Sequence, residues 1–322
     1  MKVVGIPRSL FYYYQYPLWS TFLRFLDFEV VVSSQTNKKI VDEGLRHTVE
    51  EVCLPIKVFF GHITELKDRV DYVFTPRIIS TQPKTYICPK FMGLPDMVKA
   101  DNILPEDRLL SPTINLRMGT ENYMKQFNNL GRYLGKSQKS IRNAWNEAIK
   151  IQNLFENLCK DGFLPDEAIE KIENRSNVLP NKKGSSIAVL GHGYNIYDNY
   201  TSMGLIKKIS KRYRVVTADM LSESIIQKNV AHLPKRMFWS LGQKMFGGTN
   251  FYLNDESVKG IIYLCSFGCG PDSLVGDLVE RNIHRQEKKP FMLLTIDEHT
   301  DEAGIQTRLE AFLDMIDRRE VV

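Results

Sequence analysis

Residues 2–34 read KVVGIPRSLFYYYQYPLWSTFLRFLDFEVVVSS, and this stretch decides the fold. A short apolar run (2–6) is followed by apolar residues at helical spacing (8–28) and by a second apolar run (28–34). This order predicts two strands joined by a crossover helix, the repeating unit of a parallel sheet. The same alternation resumes after residue 181. We therefore predict an α/β fold with parallel sheets flanked by helices.

The region between the two alternating series has a different character. From about residue 115 the chain has a helical period without strand candidates, and it ends in the turn-rich stretch LPNKKGSS. We predict an N-terminal domain over residues 1–114, a helical connector over 115–180 and a C-terminal domain over 181–322. Within the first domain, DYVFTPRII (71–79) is predicted to be one strand, the third.

Three cysteines share one local pattern, in which a proline follows one or two residues later and a helical segment comes next. They are Cys53, Cys88 and Cys269. Because proline is favoured in the first turn of a helix, each thiol is predicted at or just before a helix N-terminus. Free N–H groups and the positive end of the helix dipole stabilise a thiolate or an anionic cluster there. The pattern predicts one soft-metal centre bound by three thiolates, with a fourth ligand position open.

The spacing of these cysteines favours an iron–sulfur cluster over zinc, although zinc stays an alternative. Zinc fingers and ribbons use closely spaced pairs of cysteines, whereas the three predicted ligands lie far apart in the sequence. Cys265 lies in an apolar strand four residues before Cys269 and is the first substitute if one predicted ligand is wrong. Cys159 lies in an amphipathic helix and is interpreted as a packing residue. The three predicted ligands could also be core cysteines, since free cysteine is often buried.

Polar residues with catalytic chemistry follow two predicted strands of the C-terminal domain. His192 comes after the first of them, and Glu298 and His299 come after the last. The carboxyl ends of parallel strands form the edge where such sheets bind ligands, so these three residues are candidates for proton transfer or substrate binding. Arg8 follows the first strand of the chain and is a candidate anion holder. The alternative is a loop histidine and charges that complement a helix N-terminus.

Composition narrows the class of protein. The net charge of +5 on 322 residues is too small for a nucleic-acid signature, and no apolar stretch is long enough to span a membrane. Five cysteines are an odd number and few for a secreted disulfide scaffold, which favours thiols in a reducing cytoplasm. We expect a cytoplasmic protein whose partners include neither nucleic acid nor membrane.

Several motifs together resemble one family. They are EEVCLPIKVFFGHI (50–63), YICPKFMGLPD (86–96), SFGCGPDS (266–273) and DEHTDEAGIQTRLEAFLD (297–314). With GIPRSLFYYYQYPLWS near the start of the chain, they resemble the 2-hydroxyacyl-CoA dehydratase-related proteins. The closest likeness is to the branch described as acyl-CoA dehydratase activase-related. The resemblance covers nearly the whole chain.

The resemblance implies two Rossmann-like domains and a [4Fe–4S] cluster held by three cysteines between them. Double-cubane reductases of the same superfamily join two such clusters into an [8Fe–9S] unit. By this likeness the cluster ligands are Cys53, Cys88 and Cys269. The resemblance also implies electron chemistry at very low potential, in which a separate ATP-hydrolysing activase supplies single electrons. The chain itself shows no actin-like ATPase region, so ATP hydrolysis is assigned to that partner.

We therefore expect an iron–sulfur protein with ATP-dependent reductive chemistry, either a dehydratase-like lyase or a reductase of a small molecule. Expected partners are a second copy or a paralogous subunit, the activase and a small-molecule substrate. Two other functions stay open. One is a non-enzymatic electron carrier or scaffold subunit of a paralogous complex, and the other is a zinc-stabilised binding protein. Visible absorption distinguishes the zinc protein, because zinc is colourless.

Overall fold

The computed structural model describes residues 1–117, 130–131, 133–175, 179–180 and 184–320. The chain divides into two compact units. The first comprises Met1–Cys159, Leu164–Val178 and Phe238–Ser240; the second comprises Lys160–Phe163, Leu179–Met237 and Leu241–Val322. In the part of the chain that is described, no helix is both long and apolar enough to cross a bilayer.

The first unit follows the strand–helix alternation predicted from its opening residues. Its described elements are, in chain order, β1 (Val3–Ile6), α1 (Tyr12–Arg24), β2 (Glu29–Val32), α2 (Lys38–Arg46), α3 (Leu54–Leu66), β3 (Tyr72–Phe74), β4 (Arg77–Ser80), α4 (Pro89–Asp101), β5 (Leu109–Leu110), β6 (Thr113–Asn115), α5 (Gln138–Lys160) and α6 (Pro165–Ile172).

The main sheet of the first unit is parallel, with strand order β2–β1–β3–β5. Val4 of β1 pairs with Val30 on one side and with Tyr72 on the other. Phe22 and Leu23 of α1 are fully buried, which places the helix face with its apolar period in the core. Strands β4 and β6 form a separate two-stranded parallel sheet.

The single strand predicted over residues 71–79 is wrong. The structure divides it into β3, which ends at Phe74, and β4, which begins at Arg77 and belongs to the other sheet. Pro76 lies at the break, and a proline has no N–H to donate to a strand neighbour. An apolar run interrupted by proline therefore became two strands in two sheets.

The predicted connector contains the helices α5 and α6, and residues 118–129, 132 and 176–178 of it lie outside the described part of the chain. Nearly all of α5, and the whole of α6, belong to the first unit. Helix α6 begins with Pro165, and the Glu167 carboxylate accepts a hydrogen bond from the Leu164 N–H at 2.8 Å. The boundaries of the three predicted segments stay predictions.

Helices α2 and α3 cross with their backbones in contact. A Cβ atom added to Gly44 of α2 would lie 1.8 Å from the Lys57 carbonyl oxygen of α3. Only glycine permits this approach, because any side chain would overlap the facing backbone. The crossing fixes the start of α3 and thereby the position of Cys53, its N-cap residue.

A short segment from far along the chain completes the first unit. The Tyr86 N–H donates to the Phe238 carbonyl at 2.9 Å, and the Ser240 N–H donates to the Tyr86 carbonyl at 3.0 Å. Tyr86 and Trp239 form a parallel bridge between these two bonds. The segment 238–240 therefore holds the backbone two residues before Cys88.

The second unit repeats the alternation. Its described elements are β7 (Ser186–Gly191), α7 (Gly193–Ile196), α8 (Leu205–Ile209), β8 (Arg214–Val216), α9 (Glu223–Val230), α10 (Ser240–Leu253), β9 (Val258–Ser266), α11 (Gly270–Gln286), β10 (Phe291–Ile296) and α12 (Glu302–Glu320). All strand pairs of its sheet are parallel, and the strand order is β10–β9–β7–β8.

The main sheets of the two units have the same topology. In each, the second strand along the chain lies beside the first, and the third and fourth lie on the other side. The structure thus confirms the predicted α/β fold with two Rossmann-like units built on parallel sheets. Such sheets bind ligands at the carboxyl ends of the first and third strands, where the strand order reverses. These ends are β1 and β3 in the first unit, and β7 and β9 in the second.

Candidate functional site

Cys53 and Cys88 occupy equivalent positions in the first unit. Each is the N-cap residue of a helix, α3 for Cys53 and α4 for Cys88, and each helix has proline in its first turn. Both residues leave the helical conformation, with ψ angles of 148° and 136°. Cys53 is buried and Cys88 is half-buried. The helix-start positions predicted from the proline pattern are confirmed for both cysteines.

Burial and nearby charges act on both thiols. Burial raises the pKa of the Cys88 thiol, and the charge of Cys53 raises it further. Burial likewise raises the pKa of the Cys53 thiol, while the ammonium of Lys90, in the first turn of α4, acts in the opposite direction. A metal ion would displace the protons that burial favours, because a thiolate is the form that binds metal.

Arg8 follows β1 and is engaged by a carboxylate of its own unit. One guanidinium nitrogen lies 2.7 Å from Asp166 Oδ2, and the Arg8 N–H donates to Ser33 Oγ at 2.7 Å. Arg8 also lies over the ring of Tyr12, 5.3 Å from its centroid. The predicted anion holder is thus an ion-paired residue at the carboxyl end of the first strand.

His62, on the helix that begins after Cys53, is a buried neutral histidine. Its Nε2 lies 3.1 Å from Thr36 Oγ1, and its Nδ1 has no hydrogen-bond partner among the described residues. Burial, aided by the charge of Arg8, lowers the pKa of His62 to about 3. The folded protein therefore keeps this imidazole uncharged far below the pH at which a solvated histidine takes up a proton.

This histidine makes the protein sensitive to mild acid. In the unfolded chain His62 binds a proton near pH 6.5, whereas in the folded chain it does so only near pH 3. Stability is therefore lost as the pH falls below 6.5, by about 2 kcal/mol between pH 7 and pH 5. His62→Gln keeps a hydrogen-bonding group toward Thr36 and is expected to remove that loss. Urea unfolding at pH 7 and at pH 5 measures this loss of stability, and His299→Gln, at an exposed histidine, is the control. Equal losses of stability in the wild type and in His62→Gln would contradict the prediction.

In the second unit, His192 and Cys269 lie at the ends of the two strands that flank the point of reversal. His192 follows β7 directly, after Gly191, whose φ is +146° and whose added Cβ would lie 2.3 Å from the Leu264 carbonyl of β9. Cys269 follows β9 and is the N-cap residue of α11, which again has proline in its first turn. The predicted helix-start position of Cys269 is confirmed, and the fold brings His192 next to it.

A third residue, Asp272, joins this pair. The ligand-type atoms of His192, Cys269 and Asp272 all lie within 4.8 Å of one another, and all three residues are buried. His192 Nε2 lies 3.8 Å from Asp272 Oδ1, which is too long for a hydrogen bond. Asp272 Oδ2 is buried without a hydrogen-bond partner among the described residues.

Two tyrosines orient the group from outside. The Tyr263 hydroxyl of β9 donates to Asp272 Oδ1 at 2.6 Å. The Tyr194 hydroxyl lies 2.5 Å from His192 Nδ1, which leaves Nε2 facing Asp272. Burial, with the nearby Asp272 carboxylate, raises the pKa of Tyr263 well above its usual range, so its hydroxyl keeps its proton and stays a donor.

Glu298 and His299 lie elsewhere on the second unit's sheet. They follow β10, an edge strand, and the His299 N–H donates to the Asp297 carboxylate at 3.0 Å within a turn. Glu298 is half-buried and His299 is exposed. The group of close ligand atoms found among the described residues contains His192 but neither of these two. The structure thus places the three predicted catalytic residues at two different strand ends.

The remaining cysteines occupy packing positions. Cys159 is buried on α5, as its interpretation as a packing residue requires. The Cys265 sulfur lies 3.5 Å from Thr295 Oγ1 of the neighbouring strand β10, and burial raises the pKa of its thiol. Cys265 therefore points toward β10, and its role as a substitute ligand stays a prediction.

Sequence reasoning missed Asp272 and Tyr263. Asp272 stands three residues after Cys269, so in the first helical turn the two side chains can share a side. That spacing was a usable signal. The sequence held no such signal for Tyr263, because its hydrogen bond to Asp272 depends on how α11 packs against β9.

One comparison with known protein families gave a match. The model of a family described as the CoA enzyme activase uncharacterised domain (DUF2229) matches residues 3–221, about two thirds of the chain. The matched range contains Cys53, Cys88 and His192. It ends before β9, so it does not include Cys269, which follows that strand. None of the curated proteins compared with the chain matches it.

Proposed function

Because the chain belongs to the family of the CoA enzyme activase uncharacterised domain, we propose that it is an iron–sulfur protein working with such an activase. In this proposal Cys53, Cys88 and Cys269 bind a [4Fe–4S] cluster, or one half of a double-cubane [8Fe–9S] cluster. An ATP-hydrolysing activase supplies the electrons. The reaction is reductive, either dehydration of a 2-hydroxyacyl-CoA-like substrate or reduction of another small molecule.

The observation that carries the proposal is the pair of thiols in the first unit. Cys53 and Cys88 start two different helices of the same unit, each as the N-cap residue with proline in the first turn. Thiolates at helix N-termini suit an anionic cluster, because free N–H groups point at the sulfur. Cysteine sulfurs are also the donor atoms that iron–sulfur clusters use. Cys269 repeats the local geometry and is the third ligand in the proposal.

The residues around the thiols have definable tasks. Lys90 stabilises the thiolate of Cys53 with its positive charge. The buried surroundings of Cys53 exclude water, which otherwise hydrolyses exposed clusters. When bound, the cluster would supply single electrons at low potential to a ligand at its open iron. Catalytic roles for His192, Glu298 and His299 stay predictions.

Anaerobic reconstitution tests this function. The purified chain, incubated with ferrous iron and sulfide and then desalted, is expected to be brown and to retain both elements in equal amounts. After reduction it should give the EPR signal of a [4Fe–4S]⁺ cluster. Light scattering on the same sample tests the proposed pairing with a second copy. A colourless protein that retains zinc but no sulfide would contradict the proposal and favour the zinc-stabilised binding protein.

A further inference from the structure

Within the buried group of His192, Cys269 and Asp272, a direct hydrogen bond does not explain the separation of the imidazole from the carboxylate. The separation of 3.8 Å between His192 Nε2 and Asp272 Oδ1 is too long for a hydrogen bond. Two ligands on one tetrahedral metal ion, each about 2.0–2.2 Å from it, lie about 3.4 Å apart. The observed gap therefore matches a shared metal ion after a shift of a few tenths of an ångström.

A second observation concerns the carboxylate of the same group. Asp272 is only 1% exposed, and its Oδ2 has no hydrogen-bond partner among the described residues, whereas Tyr263 binds its other oxygen. An unpartnered buried carboxylate oxygen is costly unless a cation or a donor completes it. Asp272 also lies in the first turn of α11, where the helix dipole stabilises a carboxylate, but that interaction leaves Oδ2 without a hydrogen-bond partner among the described residues.

The outer contacts are those of a metal site. Metal-bound histidines usually donate their second ring N–H to a neighbouring acceptor, and His192 Nδ1 lies 2.5 Å from the Tyr194 hydroxyl oxygen. Metal-bound carboxylates are themselves hydrogen-bonded, as Asp272 is by Tyr263. The contact at Nδ1 orients the His192 ring with Nε2 toward Asp272, and the bond from Tyr263 to Oδ1 leaves Oδ2 of the carboxylate without a partner among the described residues.

We infer that, in the protein without a cluster, His192 Nε2, Cys269 Sγ and an Asp272 carboxylate oxygen bind one divalent transition-metal ion. A set of one sulfur, one nitrogen and one oxygen suits zinc, ferrous iron or cobalt and disfavours magnesium and calcium. Three protein ligands leave a fourth position for water or an added ligand, as in catalytic zinc sites. All three residues belong to the second unit, so the site is independent of Cys53 and Cys88. It goes beyond the proposed cluster, with which it shares only Cys269.

Cobalt titration tests the site. The full chain, stripped of metal under anaerobic conditions, is titrated with Co²⁺ and followed by the thiolate-to-cobalt charge-transfer absorption. We expect one equivalent to bind in tetrahedral geometry and to be displaced by Zn²⁺. Cys269→Ser should abolish the band, and Asp272→Asn, which preserves shape and the contact with Tyr263, should weaken binding at least about 10–100-fold. Tyr263→Phe should weaken it about tenfold, since it removes an outer contact only.

Cys88→Ser is the matched control, because it removes a proposed cluster ligand and changes no residue of the second unit. Unchanged cobalt binding in this variant, together with loss of the cluster, would separate the two sites. Equal cobalt affinity in Asp272→Asn and wild type, or no cobalt binding by wild type, would overturn the inference. If Asp272→Asn does not fold, X-ray absorption of the zinc-loaded wild type decides. One sulfur among nitrogen and oxygen ligands supports the site, and two or more sulfurs overturn it.

Discussion

Cys53→Ser and Cys88→Ser are each expected to lose nearly all the iron and sulfide that the wild-type protein retains after anaerobic reconstitution. A serine hydroxyl has almost the size of a thiol but is a poor ligand for iron, so the change removes a bond with little disturbance of packing. The two residues begin different helices, and a cluster shared between them needs both. Iron and sulfide per chain, visible absorption and EPR measure the loss.

The control for this prediction is Cys159→Ser. Cys159 is buried on α5, away from any helix start, and its replacement should leave the iron content unchanged. Cys265→Ser tests whether Cys265, rather than Cys269, is the third ligand. Full iron in Cys269→Ser, with loss in Cys265→Ser, would move the third ligand to Cys265 and leave the first unit's pair standing. Full iron in both Cys53→Ser and Cys88→Ser would refute the proposed cluster site.

Gly44→Ala is expected to destabilise the first unit by about 3 kcal/mol or more, because the new methyl group must displace the backbone of α3. The added Cβ would lie 1.8 Å from the Lys57 carbonyl oxygen and 2.6 Å from its carbon, and neither atom can rotate away. A domain of ordinary stability has only about 5–15 kcal/mol in total. We therefore expect a lower unfolding midpoint in urea and, since α3 starts after Cys53, less iron bound after reconstitution.

Gly93→Ala is the matched control. Gly93 lies inside α4, and an added Cβ there meets no atom within 4 Å. Alanine is the better helix former by about 1 kcal/mol, so this variant should be as stable as the wild type or slightly more so. A Gly44→Ala protein as stable as Gly93→Ala would show that α2 and α3 separate easily, contrary to the crossing described above.

The sequence was informative wherever local chemistry decides the structure. The apolar runs around residues 3–6 and 29–32 became β1 and β2, because two short apolar runs joined by a helical period have few other ways to bury themselves. Proline after Cys53, Cys88 and Cys269 predicted three helix starts, and all three cysteines are N-cap residues. Proline fixes its own φ angle, so the signal does not depend on the rest of the fold.

The remainder depends on contacts between distant parts of the chain. His192 lies near Cys269 because β7 and β9 are neighbours in the sheet. In the sequence, 66 residues separate the end of β7 from the start of β9. The hydrogen bond from Tyr263 to Asp272 likewise could be predicted only with knowledge of the sheet order. Pro76 was a signal in the sequence against a continuous strand. No signal in the sequence indicated that the chain would enter a second sheet after it.

The segment 238–240 has a consequence for the time course of synthesis. Among the described residues, the backbone hydrogen-bond partners of Tyr86 are Phe238 and Ser240, about 150 residues later in the chain. At about 5–20 residues per second, a ribosome needs roughly 8–30 s to make that stretch. During this interval Tyr86 lacks these two partners, whereas Ile87 can already donate its N–H to the Ile79 carbonyl. The backbone before Cys88 therefore reaches its final hydrogen bonding only after residue 240 has been made, and the proposed cluster, whose third ligand is Cys269, would be inserted later still.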